Sequence, residues 1–125
     1  MKELTSIAEL LDATTDGKKA VLYFSEKCPA CQHFVPAVEE WSADIGEFDF
    51  YKISRETYLA ERRELFEVGD YPALVVFLDG QRMDVLFGTA PEQAFKAYFD
   101  AHITGKWKSR AQIEQEQLEA LEHSA

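Results

Sequence analysis

The stretch Tyr23-Phe24-Ser25-Glu26-Lys27-Cys28-Pro29-Ala30-Cys31 decides how this chain is read. It joins a strand to a helix. On its left, Ala20-Val21-Leu22-Tyr23-Phe24 is a continuous apolar run of strand length, the pattern of a central strand covered on both faces. On its right, Phe34, Val38 and Trp41 share one helical face, with Val35 and Ile45 beside them. Pro36 lies inside that helix, where a proline removes a backbone hydrogen bond and usually kinks the axis. Cys28 and Cys31 stand at the junction, spaced C-x-x-C, and they are the only cysteines.

That spacing at the start of a helix has a chemical use. Two sulfurs that exchange between dithiol and disulfide must reach about 2.05 Å when oxidised and part without large backbone movement. Residues three apart occupy neighbouring positions of a first helical turn. The first cysteine, near the N-cap, meets free backbone N–H groups and the positive end of the helix dipole, which favour thiolate. Pro29 suits a first-turn position, where its missing N–H was unpaired in any case. Lys27 adds a cation beside Cys28. Cys28 is therefore the expected nucleophile and Cys31, one turn inside, the shielded resolving thiol. Exchange would pass through a mixed disulfide at Cys28 that Cys31 then attacks. Two small core thiols are the plain alternative. A closed zinc site needs about four ligands. The chain offers the two cysteines with His33, His102 and His123 and no second C-x-x-C, so no metal is expected.

Outward from this junction the chain alternates. Ile7, Leu10 and Leu11 recur at helical spacing, with Thr5 or Ser6 as N-cap. Residues 12–17 read as a loop. Phe48 to Ile53 alternates like a strand. Glu56 to Val68 is a charged helix with Tyr58, Leu59, Leu65 and Phe66 as its apolar positions. Gly69-Asp70-Tyr71-Pro72 ends it, and Ala73 to Leu78 is a second buried strand. Asp79-Gly80 is a hairpin signal, with Arg82 to Phe87 as the partner strand and Gly88 closing it. Pro91 opens a last helix carrying Phe95, Tyr98, Phe99 and Ile103. The order helix, strand, helix, strand, helix, strand, strand, helix implies parallel βαβ crossovers followed by an antiparallel hairpin. The fold class is α/β, a mixed central sheet flanked by helices. Residues 1–104 form this domain. Residues 105–125 form a C-terminal helical extension or tail, polar and rich in Glu and Gln over Ala111 to Glu122, with a narrow stripe of Trp107, Ala111, Leu118 and Leu121.

The 125 residues fit one domain. With 13 Lys plus Arg against 23 Asp plus Glu, the net charge is −10. That balance argues against a nucleic-acid face and against attraction to anionic lipid. No apolar run approaches the roughly 20 residues needed to cross a bilayer. The N-terminus lacks a basic segment, apolar stretch and small-residue cleavage site, so the expected compartment is the reducing cytoplasm.

With these residues in place, the chain resembles thioredoxin over roughly residues 2–104. The redox strand and loop from Tyr23 to Cys31, Pro36 five residues after Cys31, Lys52 on its strand, Tyr71-Pro72 before Ala73-Leu74-Val75-Val76-Phe77, the Asp79-Gly80 hairpin and Gly88 all carry the likeness. The resemblance implies the thioredoxin fold. It implies a cis Tyr71–Pro72 bond lying against the cysteines, with Tyr71 offering backbone groups to an extended substrate strand, as in β-addition. It also implies a strand lysine, Lys52, near the redox site.

The sequence departs from the family in three places. Lys27 replaces the tryptophan before the first cysteine. Pro29-Ala30 replaces Gly-Pro. Leu22 replaces the buried aspartate thought to move the proton of the buried thiol. Glu26 substitutes for that acid only if its side chain turns inward; otherwise it is an exposed loop carboxylate. Without an acid, a slower or more pH-dependent resolving step is expected. Lys27 stabilises the Cys28 thiolate, hence the reduced form, hence a more oxidising couple, and Lys52 acts in the same direction if its charge reaches the site.

The function so implied is a thiol–disulfide oxidoreductase that reduces or exchanges protein disulfides, with no bound cofactor beyond the Cys28–Cys31 pair. Electrons would come from a flavin- and NADPH-dependent reductase, and the chain would work as a monomer. It has no Gly-rich phosphate loop of its own. The alternative is a thioredoxin-fold binding or adaptor protein whose dithiol is incidental.

Overall fold

The computed structural model describes residues 1–60, 70–103 and 110–123. Its elements are β1 (Lys2–Leu4), α1 (Ile7–Ala13), β2 (Lys18–Phe24), α2 (Pro29–Ser42), β3 (Asp49–Ser54), α3 (Arg55–Leu59), β4 (Ala73–Leu78), β5 (Gln81–Phe87), α4 (Glu92–Ile103) and α5 (Arg110–His123). The five strands form one sheet in the order β1-β3-β2-β4-β5. β1, β3 and β2 run parallel, β4 runs antiparallel to β2, and β5 antiparallel to β4. The sheet is mixed, as the sequence pattern implies.

β2 lies at the centre, and its run of apolar residues serves two cores. Ala20 and Leu22 join Phe34 and Val38 of α2 and Phe95 and Phe99 of α4 on one side. Val21 and Tyr23 join Ile7 and Leu10 of α1 and Tyr58 of α3 on the other. β4 divides in the same way, with Leu74 and Val76 on the α2 side and Ala73 and Val75 on the α1 side. Successive strand residues point to opposite faces, so a strand buried on both must be apolar throughout.

The α2–α4 side is aromatic. Phe99 is fully buried, with its ring centroid 5.0 Å from those of Phe48, Phe50 and Phe95. Replacing Phe99 with alanine is expected to cost about 3–5 kcal/mol, the range for a buried phenylalanine whose site cannot collapse. Denaturant unfolding checks this.

Ser6 caps α1, its Oγ accepting from Glu9 N at 3.1 Å, while Thr5 N and Oγ1 donate to the Glu9 carboxylate at 3.0 Å. The β4–β5 turn has positive φ at both Asp79 (50°) and Gly80 (84°), the two-residue geometry that follows the twist of its strands. It is clamped to the loop after α1. Asp79 N donates to Gly17 O, and Gly17 N donates to Asp79 Oδ1, both at 2.9 Å. A Cβ on Gly80 would lie 2.9 Å from the Thr15 carbonyl oxygen. Gly80→Ala therefore meets both a left-handed backbone and a backbone clash, and is expected to lower stability by at least about 1 kcal/mol. A thermal midpoint equal to the native one would refute this.

Several expectations change in detail. A short edge strand, β1, precedes α1; its Lys2 and Glu3 carry no apolar alternation, and only Leu4 is buried. β2 begins at Lys18, two residues earlier than its apolar run, because Lys18 and Lys19 pair with Leu78 and Phe77 of β4. β3 and β5 cover Asp49–Ser54 and Gln81–Phe87. The helix expected from Glu56 to Val68 is seen as Arg55–Leu59, and its remainder, with Leu65 and Phe66, lies outside the described residues, as does Trp107. The helix expected over Ala111 to Glu122 is present as α5, where Leu118 and Leu121 are 57% and 69% exposed.

Candidate redox site

The site forms where β2 ends, α2 begins and the loop before β4 passes. Cys28 is the N-cap of α2, in extended conformation, with Pro29 in the first turn. Its Sγ accepts a hydrogen bond from Cys31 N at 3.2 Å, so the sulfur takes the place of a capping hydroxyl. Its carbonyl receives Cys31 N at 3.1 Å and Gln32 N at 3.3 Å. Both cysteines are free thiols, Cys28 half-buried and Cys31 only 1% exposed. Burial, then the hydrogen bond with Cys28, pushes the Cys31 thiol up to about 11. Cys31 therefore holds its proton at neutral pH, and Cys28 is the more solvent-accessible of the two thiols.

The opposite wall is the Tyr71–Pro72 peptide, which is cis. Cys28 Sγ lies 3.8 Å from the Tyr71 carbonyl oxygen. Pro72 is buried, and its carbonyl accepts Gly88 N at 2.8 Å, tying this loop to the end of β5. Tyr71 is half-buried; burial raises its hydroxyl, and a hydrogen bond from Arg55 opposes the shift.

The loop between β2 and α2 is held by a residue the sequence pattern did not single out. Ser25 is buried; its Oγ donates to Glu56 Oε1 at 3.0 Å and accepts Lys27 N at 3.3 Å. The Ser25 carbonyl accepts Cys28 N at 3.1 Å, and Glu26 N lies 3.5 Å from Glu56 Oε2. Glu56, in the first turn of α3, thus fixes the backbone that delivers Cys28. Its carboxyl lies below the usual range, because hydrogen bonds from its own backbone, Ser25 and Glu26 outweigh partial burial. Glu56→Ala leaves the Ser25 hydroxyl without its acceptor, at a cost of about 1–3 kcal/mol. The loss should grow as pH rises through the carboxyl range, since only the ionised native side chain gains from these donors. Urea titrations of both proteins at pH 3 and pH 7 test it; equal differences at the two pH values would contradict it.

Glu26 itself is exposed. Ser25 is the inward residue of this loop, so its neighbour faces solvent, and the inward carboxylate that proton transfer would need is not formed. Lys27, Pro29 and Ala30 are exposed around Cys28. Leu22 is fully buried in the α2-side core. Lys52 is half-buried, pairs with Glu39 of α2 at 2.5 Å, and lines a groove of about 290 Å³ shared with Cys31, Glu3 and Glu26. Its charge is thus opposed by Glu39 rather than directed at Cys31 alone. Among the described residues no group of three or more His, Cys, Asp and Glu could hold a metal ion.

The thioredoxin family model matches residues 7–101. This chain belongs to the thioredoxin family. It is 29% identical over 104 residues to a Staphylococcus aureus thioredoxin, covering 78% of this chain and 99% of that one. Among solved structures it is similar to oxidised thioredoxin from Plasmodium falciparum, with TM-score 0.70, 25% identity, and 82% and 97% of the two chains covered. The thioredoxin of Fasciola hepatica gives TM-score 0.68 and 25% identity over 82% and 99%. The chain is a thiol–disulfide oxidoreductase of thioredoxin type, a class that works on protein disulfides through a dithiol rather than a bound cofactor and draws electrons from a reductase.

The linkage of the Cys31 thiol to folding has a definite sign. A thiol raised from about 9 to about 11 stays protonated in the fold while the unfolded chain ionises. Its contribution is fully present below pH 9 and is lost as pH climbs toward 11. The reduced protein should lose stability over that window more steeply than the oxidised one, in which Cys31 has no proton to lose. Parallel slopes for the two forms would contradict the shift.

Proposed function

We propose that this thioredoxin-family chain reduces disulfides of protein substrates, with Cys28 as nucleophile and Cys31 as resolving thiol. One arrangement supports this above all: a half-exposed N-cap thiol 3.8 Å from the Tyr71 carbonyl, with a buried partner thiol one turn behind it. The substrate segment runs along Tyr71–Pro72 and pairs with backbone groups there. The Cys28 thiolate attacks one substrate sulfur. The substrate disulfide breaks, a Cys28–substrate disulfide forms, and the first substrate thiolate leaves and takes a proton. Cys31 then gives up its proton and attacks Cys28 Sγ, so the second substrate thiolate leaves. The substrate gains two electrons and two protons, and the chain is left with a Cys28–Cys31 disulfide.

Lys27, Pro29 and Ala30 set the potential of this couple, Lys52 and Glu26 border the groove through which Cys31 exchanges its proton, and no metal takes part. The electrons return from a flavin- and NADPH-dependent reductase in the cytoplasm, and the working unit is the monomer. Among the described residues no helix is long and apolar enough to cross a membrane. Residues 1–104 carry the redox function, and 105–125 form an extension to it.

A brief alkylation pulse at neutral pH, followed by peptide mapping, tests the division of roles. Cys28 should be labelled first and Cys31 only on unfolding or at high pH. Labelling of Cys31 first would reverse the assignment.

A further inference from the structure

The first turn of α3 reaches both walls of the redox site. Glu56 holds the loop that carries Cys28, through Ser25. Arg55, its neighbour in sequence, holds the other wall, where its guanidinium donates to the Tyr71 hydroxyl. Consecutive residues of a helix diverge by roughly 100° around the axis, so one turn can serve two loops that approach from different sides. Neither side chain takes part in the exchange steps themselves.

The turn has a fixed base. Ser54, the N-cap of α3, is the last residue of β3 and pairs with Phe24 of β2. Its Oγ accepts Thr57 N at 3.1 Å. Tyr58 is fully buried, its ring centroid 5.8 Å from that of Tyr23. Arg55 and Glu56 therefore project from the edge of the core. On the Cys28 side the hold is passed on by backbone. Ser25 Oγ donates to Glu56 Oε1 at 3.0 Å and accepts Lys27 N at 3.3 Å, and the Ser25 carbonyl accepts Cys28 N at 3.1 Å. On the opposite side it is passed on by the Tyr71 side chain, which packs against the α1-side core. Between the two ends lies the 3.8 Å separation of Cys28 Sγ and the Tyr71 carbonyl oxygen.

That separation bears on rate. A substrate paired with the Tyr71 backbone has its sulfur placed by the wall, and Cys28 must meet that sulfur in line at about 3–3.5 Å. A misplacement of about 1 Å can cost about a hundredfold.

We propose that Arg55 and Glu56 are positioning residues for the exchange reaction: from one anchored turn they bracket the Tyr71 wall and the Cys28 loop, and so set the gap in which the substrate disulfide is attacked. The inference rests on the proposed roles of Cys28 and of Tyr71–Pro72.

The test uses the full chain carrying Cys31→Ser and compares two rates at Cys28. One is trapping of a short peptide whose central cysteine is disulfide-bonded to free cysteine. The Cys28 thiolate attacks the peptide sulfur, the peptide disulfide breaks, and free cysteine leaves as the thiolate. The other is alkylation by iodoacetamide. Trapping needs the wall, whereas alkylation needs only the thiolate, so a changed thiolate population enters both rates and cancels in their ratio. Arg55→Met and Glu56→Ala should each lower the ratio of trapping to alkylation about tenfold, and the double variant should fall little below either single one, because both free the same gap. Glu56→Gln keeps an oxygen for Ser25, and Arg55→Lys keeps a donor for Tyr71; each should restore the ratio. If Glu56→Ala does not fold, Ser25→Ala breaks the same link by removing one oxygen and should give the same fall. A ratio unchanged on either side of the bracket overturns the inference while leaving the redox role intact. So do conservative variants as slow as the truncated ones, or single losses that multiply in the double variant. Absence of any trapped disulfide with Arg55 and Glu56 in place would instead overturn the role of Cys28, and the inference with it.

Discussion

Replacing Cys28 with serine should lower turnover of a protein disulfide by roughly a thousandfold or more, to the rate of the reductant alone. A serine hydroxyl is not a thiolate at any working pH and forms no disulfide, so the first covalent step is lost rather than slowed. Fold and stability should be nearly unchanged. Serine is a favoured N-cap, and its hydroxyl can accept the Cys31 N–H that Cys28 Sγ now accepts at 3.2 Å. Cys31→Ser should behave differently. The first attack survives and the mixed disulfide accumulates, so a single turnover begins and does not finish. If Cys28→Ser retained turnover, the buried thiol would have to be the nucleophile, and its 1% exposure speaks against any substrate reaching it.

The second large effect is on pH. Resolution needs Cys31 as thiolate, and burial, the first cause of its shift, remains when Cys28 is bonded to substrate. In the mixed disulfide the hydrogen bond and charge of Cys28 no longer add to the shift, but burial still holds the Cys31 thiol above its ordinary value and so protonated at pH 7. The rate at which a preformed Cys28–substrate disulfide resolves should therefore rise steeply between pH 7 and pH 9, by at most about a hundredfold. Leu22, fully buried behind the site, offers no carboxylate to take the proton, and Glu26 is exposed, so nothing on the core side flattens this slope. Stopped-flow release of a fluorescent substrate thiol from the mixed disulfide measures it. A rate independent of pH from 7 to 9 would mean that a base takes the Cys31 proton, and the account of resolution would fail.

Much of this architecture is legible from residues alone, for physical reasons. The apolar run before Cys28 has to be a two-faced strand, and Pro29 next to an N-cap cysteine has to be a helix start. Asp79-Gly80 has few other uses than a turn with positive φ. What escapes is of a different kind. β1 is three residues long with two charges, and only its pairing with Tyr51, Lys52 and Ile53 of β3 makes it a strand. Glu56 reads as one more acid on a charged helix; its meeting with Ser25 spans 31 positions and depends on how β3 hands over to α3. The inward orientation considered for Glu26 is taken by Ser25, which simple alternation along the strand could have indicated.

The central claim is that Cys28 and Cys31 form a reversible redox couple. The most direct measurement is equilibration of the purified chain in glutathione buffers of graded potential, followed by acid quenching and mass analysis of the trapped species. The account predicts one reversible transition in which the chain loses two hydrogen atoms with no glutathione retained, and peptide mapping places the new bond between Cys28 and Cys31. A chain that stays dithiol throughout, or that only accumulates glutathione on Cys28 without closing the intramolecular bond, would contradict it.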